Sequence, residues 1–264
     1  MTLLSFVIPC LNESLCLQGV LDDCHEGGNL AQMSYEVIVA DNGSSDGSQE
    51  IALANGAKLI NVVEKGYGAA LKAGLEAAEG DFIIMGDADR TYNFKDAPLF
   101  LDQLLLGADL VMGNRFKGFI QPGAMPVLHR WLGNPVLSGI GSLFFGIPVG
   151  DFHCGLRAFK SESIRLLGLK SNGMEFASEM VIKASLRDLK LVEVPTSLSI
   201  DHPERTPHLR TWRDGWRHLK FMLSFSPKYS FLLFSFFLFF FSGLSLLSFA
   251  FNFNPASGPN TLVI

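Results

Sequence analysis

Phe82-Ile83-Ile84-Met85 runs directly into Gly86-Asp87-Ala88-Asp89, and few folds accommodate such a junction. Four consecutive apolar residues suit a strand buried on both faces, as in a parallel sheet covered by helices. The two acids then fall at the C-terminal end of that strand, the edge where open α/β sheets bind ligands. Carboxylates this close repel unless a cation sits between them, and hard oxygen donors suit Mg²⁺ or Mn²⁺. An ion held by few protein oxygens keeps positions for a substrate diphosphate. The alternative is that Asp87 and Asp89 only cap the segment that follows.

The rest of the first half alternates strand-like and helix-like segments. Strands are predicted at residues 4–8, 36–40, 58–62, 82–85, 109–112 and 191–194. Helices are predicted near 14–24, 47–55, 68–79, 96–106 and 175–188, with Gly56 as a C-cap. This order implies an α/β fold: a mainly parallel, Rossmann-like sheet with helices on both faces.

The formal charge of −5 gives no reason to expect nucleic acid as a partner. The hydrophobic excess is concentrated between Phe231 and Ala250, which is almost wholly Phe, Leu and Ser. Such a helix rises about 30 Å, the thickness of a bilayer core. It reads as a transmembrane helix over 229–252 with a short tail at 253–264. Arg205, Arg210, Arg213, Arg217, Lys220 and Lys228 precede it and no charge follows, so the N-terminal domain is expected on the cytoplasmic side of the inner membrane. Met1-Thr2-Leu3-Leu4 lacks the basic start of a signal peptide. Cys10, Cys16, Cys24 and Cys154 have no C-x-x-C spacing, which fits reduced thiols. With a single visible span, a homo-oligomer is a further expectation.

Three loops leave the same edge of the sheet. Pro9-Cys10-Leu11-Asn12-Glu13 ends the first strand, and Asp41-Asn42-Gly43-Ser44-Ser45-Asp46-Gly47 ends the second. Small residues and acids suit a base and ribose, with Asp41 accepting from a base N–H and Glu13 from a ribose hydroxyl. The second loop also reads as a helix entry with Ser44 or Ser45 as N-cap. Gly66-Tyr67-Gly68 follows the third strand, and its glycines allow backbone contact with a ligand.

The ordered set P-x-x-N-E, D-x-G-S-x-D-G, G-x-G-x-A and D-A-D resembles family 2 glycosyltransferases of the GT-A fold. Gly113-Asn114-Arg115-Phe116, Asp151-Phe152-His153-Cys154-Gly155-Leu156-Arg157 and Glu175-Phe176-Ala177-Ser178-Glu179-Met180 resemble the polyprenyl-phosphate branch of that family. The resemblance covers roughly residues 4–220. It implies transfer of a sugar, with inversion, from a UDP- or GDP-linked donor to a polyprenyl phosphate at a membrane. It places Pro9, Leu11, Asn12, Glu13, Val39, Asp41, Asn42, Gly66, Gly68 and Ala88 around the donor. Asp87 and Asp89 fall at the metal and diphosphate, with Thr91 where relatives often carry a Gln ligand. Arg115 meets the acceptor phosphate, and Asp151, Arg157 and Glu179 complete the motifs. Leu11, Asn42 and Glu175 depart from the commoner residues, which bears on the base and on a mannose donor.

A phosphate monoester is largely ionised at neutral pH, its second pKa being about 6, so the acceptor needs cationic guidance rather than a base. Arg115, Arg130, Arg157 and Arg205 are the candidates, since guanidinium groups grip phosphate in bidentate fashion. An acceptor hydroxyl would instead need a carboxylate base such as Asp151. A membrane-tethered nucleotide-sugar-binding subunit without catalysis is the third reading. The domain expected over 1–209 includes an interfacial helix near 129–146. A second amphipathic helix at 210–228 sets Trp212, Trp216, Leu219 and Leu223 on one face, with Arg210, Arg213, Arg217 and Lys220 flanking it. That helix reads either as interfacial or as packed on the domain.

Overall fold

The computed structural model describes residues 2–147, 149–205 and 211–252. Arg210 and the tail at 253–264 lie outside them, as do the side chains of Trp212 and Arg213. The chain divides into two compact units, Met1–Met222 and Leu223–Ile264.

The first unit is built on a seven-stranded sheet. β1 (Leu3–Cys10) pairs in parallel with β2 (Ser34–Asp41), which pairs in parallel with β3 (Lys58–Asn61). On its other side β1 pairs in parallel with β4 (Phe82–Met85), the apolar strand before the acids. β5 (Leu110–Asn114) does not meet β4. A strand that the sequence reading passed over, β6 (Arg157–Lys160), lies antiparallel between them, and β7 (Leu191–Pro195) closes the edge beside β5. The order is therefore β3-β2-β1-β4-β6-β5-β7, mostly parallel as expected. β6 was hidden because a four-residue strand flanked by Arg157 and Lys160 carries no apolar run. Its arginine is nonetheless buried.

Helices α1 (Ser14–Leu30), α2 (Ser48–Ala54), α3 (Tyr67–Ala77) and α4 (Ala97–Leu105) cover the sheet. α1 runs six residues past its expected end, through Gly27 and Gly28. Those glycines allow close packing rather than stopping the helix: a Cβ on Gly27 would collide with the Phe94 carbonyl oxygen. Phe94, Phe100 and Phe6 lie in the core beneath, each almost wholly buried. A π-helical turn at His129–Gly133 leads into α5 (Asn134–Phe145), and α6 (Ser161–Leu167), which was not expected, precedes α7 (Phe176–Leu186). Val127, Trp131, Leu132 and Leu143 in the 127–143 stretch are exposed.

α8 (Thr211–Phe225) buries His218 and Met222, one turn apart, and exposes Trp216. One face of this helix is therefore buried, as the packed expectation has it, while Trp216 is exposed. In the second unit, α9 (Pro227–Asn252) holds a stretch, Pro227–Phe249, long and apolar enough to cross a bilayer.

Gly27→Ala should destabilise the first unit by about 1–3 kcal/mol, because the backbone it meets has no room to give. Thermal melts of the purified full chain should show a midpoint lowered by about 2–4 °C per kcal/mol. An unchanged midpoint would contradict this packing.

Candidate active site

The loops at the C-terminal edge of the sheet are stapled to one another by small polar side chains. Asn12 adopts a left-handed backbone (φ +55°), and its Oδ1 accepts from the Ser45 N–H at 2.9 Å. Ser44 Oγ accepts from the Asn12 N–H at 2.8 Å, and Ser48 Oγ accepts from the Glu13 N–H at 3.0 Å. Asp46 accepts from the Ser14 N–H and from Ser48, and these bonds lower its pKa to about 2 against the pull of burial. The second loop is tied to the third by Asn42, which donates to the Val62 and Glu64 carbonyls and accepts from the Gly66 N–H.

Asp87 and Asp89 project from the end of β4, and each carboxylate is held from one side. Tyr67 Oη donates to Asp87 at 2.9 Å. Thr91 donates to Asp89 through both its N–H, at 3.0 Å, and its Oγ1, at 2.7 Å. Gly155 lies against the pair, and a Cβ there would sit 2.6 Å from Asp87 Oδ2. Burial, then the neighbouring Asp89, pushes the Asp87 carboxyl up to about 7, against the opposing pull of Tyr67 and Arg205. Two hard oxygen groups with too little compensating charge fit a divalent cation. Among the described residues no cluster of three or more His, Cys, Asp or Glu side chains surrounds them. The remaining ligand positions would fall to other oxygens, such as those of a diphosphate.

Arg205 is drawn into this acidic corner. It forms a two-pronged pair with Glu13, Nε and Nη2 each donating at 2.6 Å. Its Nη1 donates to Asp201 at 2.6 Å and lies 3.4 Å from Asp89. Glu13, expected at a ribose hydroxyl, is thus engaged by a residue 192 positions away. No local sequence signal marks that pairing.

A second, basic region contains Arg115. Its Nε and Nη2 donate to the two Asp151 oxygens at 2.7 Å each, and its own N–H donates to Asp151 at 3.0 Å. Asp151 is fully buried, and Glu193 anchors its loop by accepting from the N–H groups of Gly150 and Asp151. Burial works against the Arg115 charge, but Tyr92 and Asp151 hold its pKa well above the usual value. A cavity of about 230 Å³ opens beside it, lined by Arg115, Phe116, Gly118, Ile120, Arg130 and Trp131. Arg130 is exposed and lies over the Trp131 ring at 5.7 Å. Tyr92 joins the two regions, accepting through Oη from the Gly155 N–H at 3.0 Å.

The 151–157 loop also meets α8. The His153 ring lies 4.6 Å from His218, edge to face, and His218 Nδ1 shares a 2.7 Å hydrogen bond with Ser178 Oγ. Both His153 ring nitrogens are buried without a hydrogen-bond partner. Burial, then His218, Arg157 and Arg115, drives the His153 pKa well below its usual value.

Several sequence-predicted site residues make contacts within the protein. Arg157 is fully buried, and its guanidinium donates to the Cys154, Ala177 and Phe152 carbonyls rather than to an open site. Glu179 accepts from the Lys170 and Ser171 N–H groups and pairs with Lys183. Val39 is fully buried inside β2 and Ala88 is 3% exposed. Gly66 and Gly68 make room for the backbone of Asn172 and Ser171, where a Cβ would collide, instead of facing a ligand. Asp151, with both oxygens on Arg115, is not free to act as a base. Thr91 spends its hydroxyl hydrogen on Asp89, so it orients that ligand. Pro9 is buried in β1, whereas Leu11 and Asn12 are accessible. Tyr67, Tyr92 and Glu193 were missed, since a tyrosine in a G-x-G and a strand glutamate carry no signal of their own.

The raised Asp87 pKa gives the metal-free protein a pH signature. An unfolded aspartate has a pKa near 3.8, so the folded state binds more protons between that value and about 7. The stabilising contribution is fully present below 3.8 and is lost as pH rises through 7. With chelator, thermal midpoints should fall relative to Asp87→Asn across this window, and Mn²⁺ should remove the difference. Parallel pH profiles for the two proteins in chelator would contradict the assignment.

The comparisons with known proteins agree with this architecture. The family model described as "Glycosyl transferase family 2" matches residues 5–167. The low-salt glycan biosynthesis hexosyltransferase Agl6 of Haloferax volcanii is 43% identical over 86% of this chain and 55% of its own length. The chain therefore spans little more than half of that relative. A dolichyl-phosphate hexose transferase of the same organism is 32% identical over 73% of this chain and 81% of its own. Glucosyl-3-phosphoglycerate synthase from Mycobacterium tuberculosis, solved with Mn²⁺, UDP and glucosyl-3-phosphoglycerate, shares the fold. Its TM-score is 0.67 at 22% identity, covering 86% of this chain and 80% of that one. The motif order, the GT-A-like sheet and these matches lead to one conclusion: the chain belongs to glycosyl transferase family 2.

Proposed function

We propose that this protein transfers a hexose from a nucleotide sugar to a polyprenyl phosphate at a membrane, with inversion at the anomeric carbon. The observation that carries the reading is the buried Arg115–Asp151 fork beside a cavity lined by a second arginine and by Trp131. The fork fixes the guanidinium plane while leaving Nη1 for an anion, and Arg130 adds charge at the cavity. Trp131 and Phe116 suit the apolar start of a lipid chain. The carboxylate that a hydroxyl acceptor would require as a base, Asp151, is spent on Arg115, which favours an acceptor that arrives ionised.

On the donor side, Asp87 and Asp89 would hold Mg²⁺ or Mn²⁺. When bound, such an ion neutralises charge gathering on the departing diphosphate. The residues around it do the positioning. Tyr67 and Thr91 fix the two carboxylates, and the stapled loops at Asn12 and Asp41 form the nucleoside side of the cleft. Arg205 offers a cation near the diphosphate once Glu13 releases it. In-line attack by a phosphate oxygen from the Arg115 side would displace the diphosphate and invert the anomeric centre.

Two features support a membrane location. The stretch Pro227–Phe249 of α9 is long and apolar enough to cross a bilayer, and basic residues lie before it and at its start, which keeps the N-terminal unit on the cytoplasmic face by the positive-inside rule. Trp216 and Lys220 of α8 are exposed, as an interfacial helix requires. The similarity to a dolichyl-phosphate hexose transferase supports a lipid-phosphate acceptor.

Incubating the full chain with Mn²⁺, undecaprenyl or dolichyl phosphate and a panel of nucleotide sugars should yield a glycosyl phosphoryl lipid, identified by mass. Product formed on the matching polyprenol, and not on its phosphate, would overturn the reading. Arg115→Lys should lower turnover by about 100-fold, since an ammonium cannot reproduce the fork. Donor binding, followed by calorimetry, should stay within about threefold, because the lost charge lies on the acceptor side. Asp151→Asn should follow the same pattern more weakly, its amide still accepting one bond.

A further inference from the structure

The two acids at the end of β4 each commit one oxygen inside the protein. Asp87 Oδ1 accepts from Tyr67 Oη at 2.9 Å, and Asp89 Oδ1 accepts from the Thr91 N–H and Oγ1 at 3.0 and 2.7 Å. The Oδ2 oxygens are therefore the ones best placed to hold a divalent cation. Asp89 Oδ2 already has a cation beside it, since Arg205 Nη1 lies 3.4 Å away. That distance is longer than the other contacts of the same guanidinium. Nε and Nη2 donate to the two Glu13 oxygens at 2.6 Å each, and Nη1 donates to Asp201 at 2.6 Å.

The difference in length identifies what holds the arginine. Short charge-assisted bonds are the strong ones, and here they run to Glu13 and Asp201 rather than to Asp89. Those two carboxylates fix the guanidinium plane and so deliver a positive charge to Asp89 Oδ2. The Arg205 side chain is 13% exposed, so salt screens that charge only weakly. Burial opposes the charge, but Glu13, Asp89 and Asp201 raise the Arg205 pKa above its usual value. A divalent ion at the same oxygen would stand next to a fixed positive charge, and like charges at this range repel strongly.

We infer that Arg205 is a built-in competitor of the divalent cation: held by Glu13 and Asp201, it stands at the Asp89 oxygen a metal would use, and the two cations exclude each other there. Metal binding then breaks the Glu13 fork and releases both the arginine and the first-loop carboxylate. The acidic corner thus has two states, one closed on its own arginine and one loaded with metal, and the cation selects the second. The inference rests on the metal reading of Asp87 and Asp89 given above and adds the group that opposes the metal.

Calorimetric titration of the full chain with Mn²⁺ alone, without nucleotide, tests this directly. Arg205→Gln should bind Mn²⁺ at least about fivefold more tightly than wild type, because the competing charge is gone. Arg205→Lys keeps the charge but cannot span Glu13 and Asp201, so it should bind at least about threefold more tightly. Wild-type affinity in the lysine variant would show that any nearby positive charge acts alike, which overturns the positional role. Unchanged or weaker binding in the glutamine variant overturns the inference outright. A second measurement needs no variant. Phenylglyoxal modifies unpaired guanidinium groups, and peptide masses report the rate at each arginine. Arg205 of the wild-type chain should react at least about threefold faster in Mn²⁺ than in chelator, with exposed Arg130 as the constant reference. An unchanged or slower rate means that the Glu13 fork survives the metal, and the inference falls. Failure of Mn²⁺ to bind any of the three proteins would instead overturn the metal reading itself.

Discussion

Mutual repulsion among carboxylates gathered at one edge of the sheet is the constraint that organises this protein. Glu13, Asp89 and Asp201 meet the guanidinium of Arg205 there, with Asp87 beside Asp89. That compensation is incomplete, as the Asp87 carboxyl shows by holding its proton up to about pH 7. Tyr67 and Thr91 prevent the acids from swinging apart, and Gly155 lets the 151–157 loop close against them without a side chain in the way. The same loop carries Asp151 to Arg115. A charge problem at the acidic corner is thereby built into the scaffold that sets the Arg115 region.

The loops at this edge gain rigidity from one another rather than from secondary structure. Ser44, Ser48, Asp46 and Asn12 exchange hydrogen bonds between the first two loops, and Asn42 fastens the second to the third. Each bond contributes only about 0.5–1.5 kcal/mol net. Together they fix the backbone on which any ligand would land, and they explain why the loops are rich in Ser, Asn and Asp. Residues that read as ligand contacts from their chemistry are in several cases spent on this framework.

Much of the fold was legible because periodicity and strand-end punctuation are local signals. The apolar strand before Asp87, the alternation of strands and helices and the long apolar helix all follow from runs within the sequence. β6 did not, since its hydrophobic character resides in two residues between charged ends. The candidate site divides the same way. Asp87, Asp89 and Arg115 were marked by position in a motif, and the structure pairs them with Tyr67, Thr91 and Asp151 in turn. Arg157 carried an equally good chemical signature, yet its guanidinium is consumed by three main-chain carbonyls. The glycines of Gly66-Tyr67-Gly68 invited a ligand reading, but what approaches them is the chain itself, at Ser171 and Asn172. Long-range pairs such as Glu13 with Arg205 leave no trace in spacing. Only the assembled sheet brings them together.

The edge-to-face imidazoles of His153 and His218 have an outcome for the protein in acid. An unfolded chain takes up a proton on such a ring near pH 6.5, whereas His153 stays neutral in the fold, hemmed in by His218, Arg157 and Arg115. Below that pH the balance therefore tilts toward opening wherever this ring is buried, which is the seam between the tryptophan-bearing helix and the strap that steadies Arg115. Mildly acidic surroundings would loosen that seam.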